Sequence, residues 1–378
     1  MLRKGKFLPK EPPMIPFIRG KVTHQAHVGV PDGTYEEEFA REGFFGRYAH
    51  LYRAHPPVDW TQIEGSLKPR AYDLNKNSKM GGDFLAQREM LLLNEDAEIA
   101  QIKLTETMPY FYRNADGDDL YFVHAGTGKL ETDFGPLKYV AGDYIVVPRG
   151  TVHRWVIDTS SDLLNVTTFG ELRFPDKGML GQHALIDPAM IRVPTPEPDL
   201  TAQKCELRIR RCGEITRVTY PHSPIDALGW KGTLTVWQIN VQDIRPIVCE
   251  RYHLPPSAHT TFLASGVAIC SFLPRLLENG DPEAMKVPFF HSNIDYDEVL
   301  FYHSGQFFSR AGIDAGMLTF HPQGIHHGPQ ANAVARSKRV ERTNEVAVMI
   351  DTRRPLRIAE SAKKFETENY WKSWMTKE

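Results

Sequence analysis

Several features are scarce in this chain, and each scarcity removes a class of function. The four cysteines, Cys205, Cys212, Cys249 and Cys270, form no C-x-x-C pair. Neither a zinc knot nor a disulfide framework is expected, and the four read as buried thiols. No apolar run approaches the ~18 residues that span a bilayer. The basic start, MLRKGKFLPKEPPM, leads into no apolar stretch of the kind a secretory signal has. A soluble, cytoplasmic protein with no membrane partner is the expectation. Net charge is scarce as well, with 45 Lys and Arg against 47 Asp and Glu, a formal balance of −2. That balance gives no electrostatic footprint for nucleic acid. Helical periodicity is nearly missing. The tail from Pro355 to Trp374, with Ile358, Ala359, Ala362, Phe365 and Trp371, is the best helix candidate. A second short helix or loop is expected over Asp187 to Ile191.

Short strands are abundant. The 28 glycines and 27 prolines punctuate runs such as DLYFVHAG, DYIVVPRG, LTVWQINV, DEVLFYHSG and EVAVMID. Runs of this composition between turn residues predict a mainly all-β sandwich or barrel. A length of 378 residues accommodates one large domain or two ordinary ones. The prolines of Pro194-Thr-Pro196-Glu-Pro198 read as an extended spacer, which divides the chain into 1–193 and 194–378.

Those two parts repeat each other. Gly142-x5-Pro148-x-Gly150-x2-His153 has the same form as Gly316-x5-Pro322-x-Gly324-x2-His327. An earlier pair aligns without gaps. Phe111, Asn114, Asp116, Asp119, Phe122, His124 and Gly126 match Phe290, Asn293, Asp295, Glu298, Phe301, His303 and Gly305. These blocks resemble the two signature motifs of the cupin family, which implies two double-stranded β-helix (jelly-roll) barrels in one chain. The second motif is unbroken in both copies. The first departs: the C-terminal copy has His291, Glu298 and Gly305, with Asn293 where a second histidine usually stands.

Within the C-terminal copy, His291, Glu298 and His327 make a two-histidine, one-carboxylate set. Imidazole and carboxylate donors with open positions opposite suit Fe(II) in an oxygenase. The matching N-terminal positions are Tyr112, Asp119 and His153, and that half, with its N-terminal arm, is expected to be a metal-free scaffold. Histidines elsewhere, such as His50 and His183, read as isolated structural residues.

The stretch Pro288-FFHSNIDYDEVLFYHSG, followed by His321-PQGIH-His327-Gly328-Pro329, resembles the homogentisate 1,2-dioxygenase family. His253-LPPS, Gly266-VAI and the segment from Tyr110 add to a likeness over about residues 35 to 375. The resemblance implies a non-haem Fe2+ ring-cleaving dioxygenase that uses a small aromatic acid and O2. It implies cytoplasmic aromatic catabolism, in phenylalanine and tyrosine degradation, and a homo-oligomer (trimer or hexamer). It implies His291, Glu298 and His327 as metal ligands, His253 as the base near the substrate hydroxyl, and His321 in the substrate pocket. Phe307 stands where other members carry a tyrosine, and Arg310 where they carry a lysine. Phe307 is expected to line the substrate ring. Arg310 either clamps the substrate carboxylate or sits on an outer strand face in a surface ion pair. Two alternatives stay open: a dioxygenase for another hydroxylated aromatic acid such as gentisate, and a non-catalytic or isomerase-type bicupin.

Overall fold

The computed structural model describes residues 18–375 apart from 182, 287–288, 308–309, 311, 331–332 and 334–339, together with all side chains there except that of Asn293. The basic start and Pro288 lie outside the described residues. Strands dominate, and the molecule is all-β with two jelly-roll barrels of the cupin kind. The first barrel is built on an 11-stranded sheet whose centre is the long antiparallel pair Asp118–Thr132 and Val152–Thr168. The second holds a six-stranded sheet ordered 260–264, 267–272, 346–352, 297–304, 317–321, 70–73.

The repeat is visible contact by contact. Tyr112 pairs with His153 in the first barrel, and the corresponding His291 pairs with His327 in the second. Asp119 lies opposite Val147, as Glu298 lies opposite His321. The acids just before them do the same work. Asp118 accepts from the backbone N–H of Arg149 and Leu172, and Asp297 from that of Gln323 and Leu356. The motif glycines are needed where the backbone turns left-handed. Gly150 and Gly324 both have φ 88°, a region closed to most residues with a Cβ.

Sheet pairing does not follow the division at Pro194. Strands Cys205–Arg211, Glu214–Tyr220 and Trp237–Asn240 complete the first barrel's sheet. In the other direction, Tyr35–Ala40 pairs in parallel with Phe290–Asn293, and Arg70–Asp73 extends the second barrel beside Met317–His321. Arg357–Ile358 returns to pair with Arg88–Leu93. The first barrel's sheet thus ends on strands from the second half at both edges, and the second barrel's sheet has Arg70–Asp73 from the first half at one of its edges. Proline spacing marks an extended segment but does not say which strands pair beyond it.

One hydrophobic cluster runs through both barrels. Phe122 and Phe301, equivalent residues of the repeat, meet with ring centres 6.3 Å apart, and Tyr144 packs on Phe262 at 5.1 Å. Burying each such side chain is worth about 1.5–3 kcal/mol of transfer free energy.

The tail differs from the expected helix. After Arg357–Ile358 it forms 3-10 turns over Glu360–Phe365 and Tyr370–Trp374, separated by Asn369 at φ 62°. Strand pairing takes 357–358 out of any helix, the first turn stops at an extended Glu366, and the second starts after the left-handed Asn369. Asp187 caps a 3-10 turn over Pro188–Met190 through the Ala189 N–H.

Candidate metal centre

Three elements bring the ligand set together. Glu298 comes from Asp297–Ser304, His291 from Phe290–Asn293, and His327 from the loop after Met317–His321. His291 and His327 exchange backbone hydrogen bonds of 2.9 and 3.0 Å, which fixes both rings on one side. The ligand atoms of His291, Glu298 and His327 all lie within 4.8 Å of one another, and all three residues are buried. His291 Nε2 is 3.7 Å from Glu298 Oε2, and His327 Nε2 is 3.4 Å from Glu298 Oε1.

The protonation states suit metal ligation. His291 Nδ1 is 2.9 Å from the Phe289 carbonyl, to which it donates, leaving Nε2 as a lone-pair donor. Burial and the facing His291 push His327 down to about 3, so its imidazole is neutral. Burial works to raise the Glu298 carboxyl, but His327, His291 and His321 together hold it well below the ordinary range. Two imidazoles and one carboxylate are the donor set expected for Fe(II), Mn(II) or Zn(II). The Nε2 atoms of His291 and His327 are buried without a hydrogen-bond partner. Such atoms are costly unless something binds them, so the residues fit a bound ion.

The structure places His321 behind the carboxylate and not among the residues lining the cavity. Its Nδ1 donates to Glu298 Oε1 at 2.7 Å, and its ring stacks on His327 at 4.7 Å. It stands behind the carboxylate, between the ligands and the tail residues Tyr370 and Trp374. The cavity in front of the ligands is lined instead by His253, Phe289, His291, Glu298, Tyr302 and Arg310, with Glu345 and Arg275 beside them.

His253 Nδ1 lies 3.1 Å from Glu278 Oε1, and Arg275 Nη1 donates to the same oxygen at 3.0 Å. Burial lowers the His253 pKa while Glu278 works against that loss. Burial alone would raise Glu278, yet His253 and Arg275 bring it down to about 2. The pair is a buried imidazole oriented by an ionised carboxylate, an arrangement suited to accepting a proton on Nε2.

Arg310 is buried on the cavity wall, and its Nη1 donates to Gly328 O at 2.9 Å. The outer-face alternative therefore gives way to the cavity. Phe307 is buried too, but its ring meets Tyr302 edge-on at 4.8 Å in a cluster with Met317, Tyr370 and Trp374. Phe272, Phe289 and Tyr302 line the cavity, and Phe307 packs behind Tyr302. Glu278, Arg275, Tyr302 and Glu345 carry no motif that reveals them in the sequence; only Tyr302 lies inside a repeated block.

The equivalent N-terminal positions are filled by protein. Asp119 accepts from Asn114, Asn165 and Thr167, and His153 is enclosed by the rings of Phe84, Tyr112 and Tyr121. A wider cleft lined by Phe174, Lys177, Leu185 and Thr260 gathers one acid, Asp176, and no histidine or cysteine. The histidines and acids suited to chemistry gather in the smaller cavity instead.

A family described as "Homogentisate 1,2-dioxygenase N-terminal" matches residues 86–241. A Saccharolobus solfataricus protein, provisionally named a dioxygenase, is 32% identical, with 95% of this chain and 98% of its own length covered. Homogentisate 1,2-dioxygenase of Sinorhizobium fredii is 25% identical over 78% of this chain and 67% of its own. Among solved structures, a cupin 2 barrel protein from Leptotrichia buccalis covers 75% of this chain and 95% of its own, at 9% identity and TM-score 0.32. With its two barrels and buried His291–Glu298–His327 cluster, the chain belongs to the homogentisate 1,2-dioxygenase family of ring-opening oxygenases.

Proposed function

We propose that this protein uses O2 to open the ring of homogentisate between the hydroxyl-bearing carbon and the carbon carrying the acetate arm, giving maleylacetoacetate. The observation that carries the reading is a buried two-histidine, one-carboxylate cluster facing a cavity that also holds His253 and Arg310. His291, Glu298 and His327 would hold iron(II), which when bound supplies a common point for a phenolate and O2 and a route for electrons between them. His253, oriented by Glu278, takes the proton from the substrate hydroxyl. Arg310 pairs with the carboxylate and so fixes which ring carbon faces the ligands. His321 holds the Glu298 carboxylate in place. Phe289 and Tyr302 pack against the ring and keep bulk water out.

A second reading is a related hydroxylated aromatic acid such as gentisate, which the same cavity wall also accommodates. Arg310 and Arg275 stand on the same wall as Glu345, whose carboxyl burial raises to about 7. That mixed lining would suit a carboxylate attached directly to the ring as well as one on an acetate arm. An oxygen-electrode panel across homogentisate, gentisate and analogues without the carboxylate separates the two readings. Uptake with homogentisate alone supports the first; uptake with gentisate alone replaces it with the second. A trimer or hexamer in solution belongs to the same proposal, and sedimentation tests it.

A further inference from the structure

A second group of metal-binding side chains lies outside the ligand set described above and uses none of its residues. It is built on the antiparallel pair Tyr35–Ala40 and Tyr48–Arg53, where Glu38 is directly opposite His50 and Glu36 opposite Tyr52. Side chains alternate along a strand, so Glu36, Glu38, His50 and Tyr52 share one face. Glu37, on the other face, meets Arg53 and His326 instead.

His27 completes the group from outside the pair. Its backbone N–H donates to the Glu36 carboxylate at 3.0 Å, and its φ of 66° turns the chain so that its ring enters the cluster. A non-glycine residue there is uncommon and persists where its surroundings hold it. His27 Nε2 is 3.6 Å from Glu38 Oε2, while its Nδ1 is 3.4 Å from Glu36 Oε2. His50 Nδ1 is 3.0 Å from Glu36 Oε1. One carboxylate, Glu36, therefore faces the Nδ1 atoms of both histidines, and Tyr52 Oη donates to it at 3.0 Å. This is how outer carboxylates orient histidines that bind metal through Nε2.

We propose that His27, His50 and Glu38 form a second site for a divalent ion of the zinc type, with Glu36 as the orienting carboxylate. The ligand atoms of His27, Glu38 and His50 lie within 4.8 Å of one another. His27, Glu36 and Glu38 are each less than a tenth exposed. Two imidazoles and a carboxylate leave a fourth position for water, which zinc accepts. A divalent ion also offsets the charge of two carboxylates gathered out of water.

Its place in the fold gives the site a consequence. Glu38 is the parallel-strand partner of His291, and the His27 ring stacks on Phe289 at 4.3 Å. Phe289 in turn lines the first cavity. An ion here fastens the His27 turn to the hairpin 35–53, whose first strand pairs with the strand that carries His291.

The test uses full-length His291→Ala/His327→Ala protein, which disables the first site, loaded with Zn2+ and dialysed against metal-free buffer. About one equivalent of zinc per chain should remain, falling below about 0.1 when Glu38→Gln or His50→Ala is added. The zinc-edge X-ray absorption of the double variant should show two imidazoles among oxygen donors. Less than about 0.1 equivalent in the double variant overturns the proposal. So does an equivalent that survives both added substitutions, or an absorption spectrum without imidazole. None of these outcomes depends on turnover, so the fate of the proposed reaction is read separately.

Discussion

His124 and His303 occupy the same position in the two copies of the repeat, and their Nδ1 atoms share a hydrogen bond of 2.9 Å between the barrels. One must donate and the other accept, so neither needs a second proton. Burial lowers His124 to about 4, helped by the facing His303, and burial alone lowers His303 to about 4.

A pH dependence follows from these shifts. Both pKa values lie below the reference of 6.5. The folded state therefore suffers no penalty above about pH 6.5 and loses stability as the pH falls from there towards 4, because the unfolded chain takes up protons first. His124→Gln/His303→Gln should lose less stability than the parent between pH 7 and pH 5, by on the order of 2 kcal/mol. Urea unfolding at the two pH values measures it. Equal losses in parent and variant would mean the pair titrates normally.

His253→Asn should keep its metal but lose about 10²- to 10⁴-fold in kcat, the usual worth of a general base. Glu278→Gln tests positioning. Glu278 raises the pKa of His253, so its loss should move the acidic limb of the pH profile to lower pH. An unmoved limb would leave Glu278 a purely structural partner of Arg275.

Arg310→Met should raise KM for an acidic aromatic by roughly ten- to a hundred-fold and change much less for an analogue without the carboxylate. Steady-state oxygen uptake with both substrates checks it. Equal losses for both would assign the carboxylate to another residue on the wall, with Arg275 next in line.

Phe307→Tyr should leave KM nearly unchanged, because the ring packs on Tyr302 in an apolar cluster away from the cavity wall. The added hydroxyl enters that cluster, so stability should fall by about 1–3 kcal/mol. A lowered KM for homogentisate would show that Phe307 does reach the substrate.

Much of the fold and of the ligand set was legible because the repeat is made of residues with fixed backbone duties. Gly150 and Gly324 turn left-handed, Asp118 and Asp297 tie down the following turns, and these duties demand particular residues at particular spacings. His291, Glu298 and His327 fall inside that frame. Glu278 was not legible, because it reaches His253 from a segment with no motif. His50 was read as isolated for the same reason. Its neighbours His27 and Glu36 are joined to it only by strand pairing and by an incoming turn. The exchange of strands between barrels likewise depends on which edges remain open after each barrel forms, and no local pattern encodes that.

The most direct test of the central claim is the iron content of His291→Ala, Glu298→Ala and His327→Ala proteins, each made in a Glu38→Gln background so that only one site is counted. Each should fold, retain less than about 0.1 equivalent of iron and consume no oxygen with an aromatic acid, since two of three ligands rarely hold the ion. A variant that keeps a full equivalent of iron would show that the substituted residue is not a ligand, and would contradict the account.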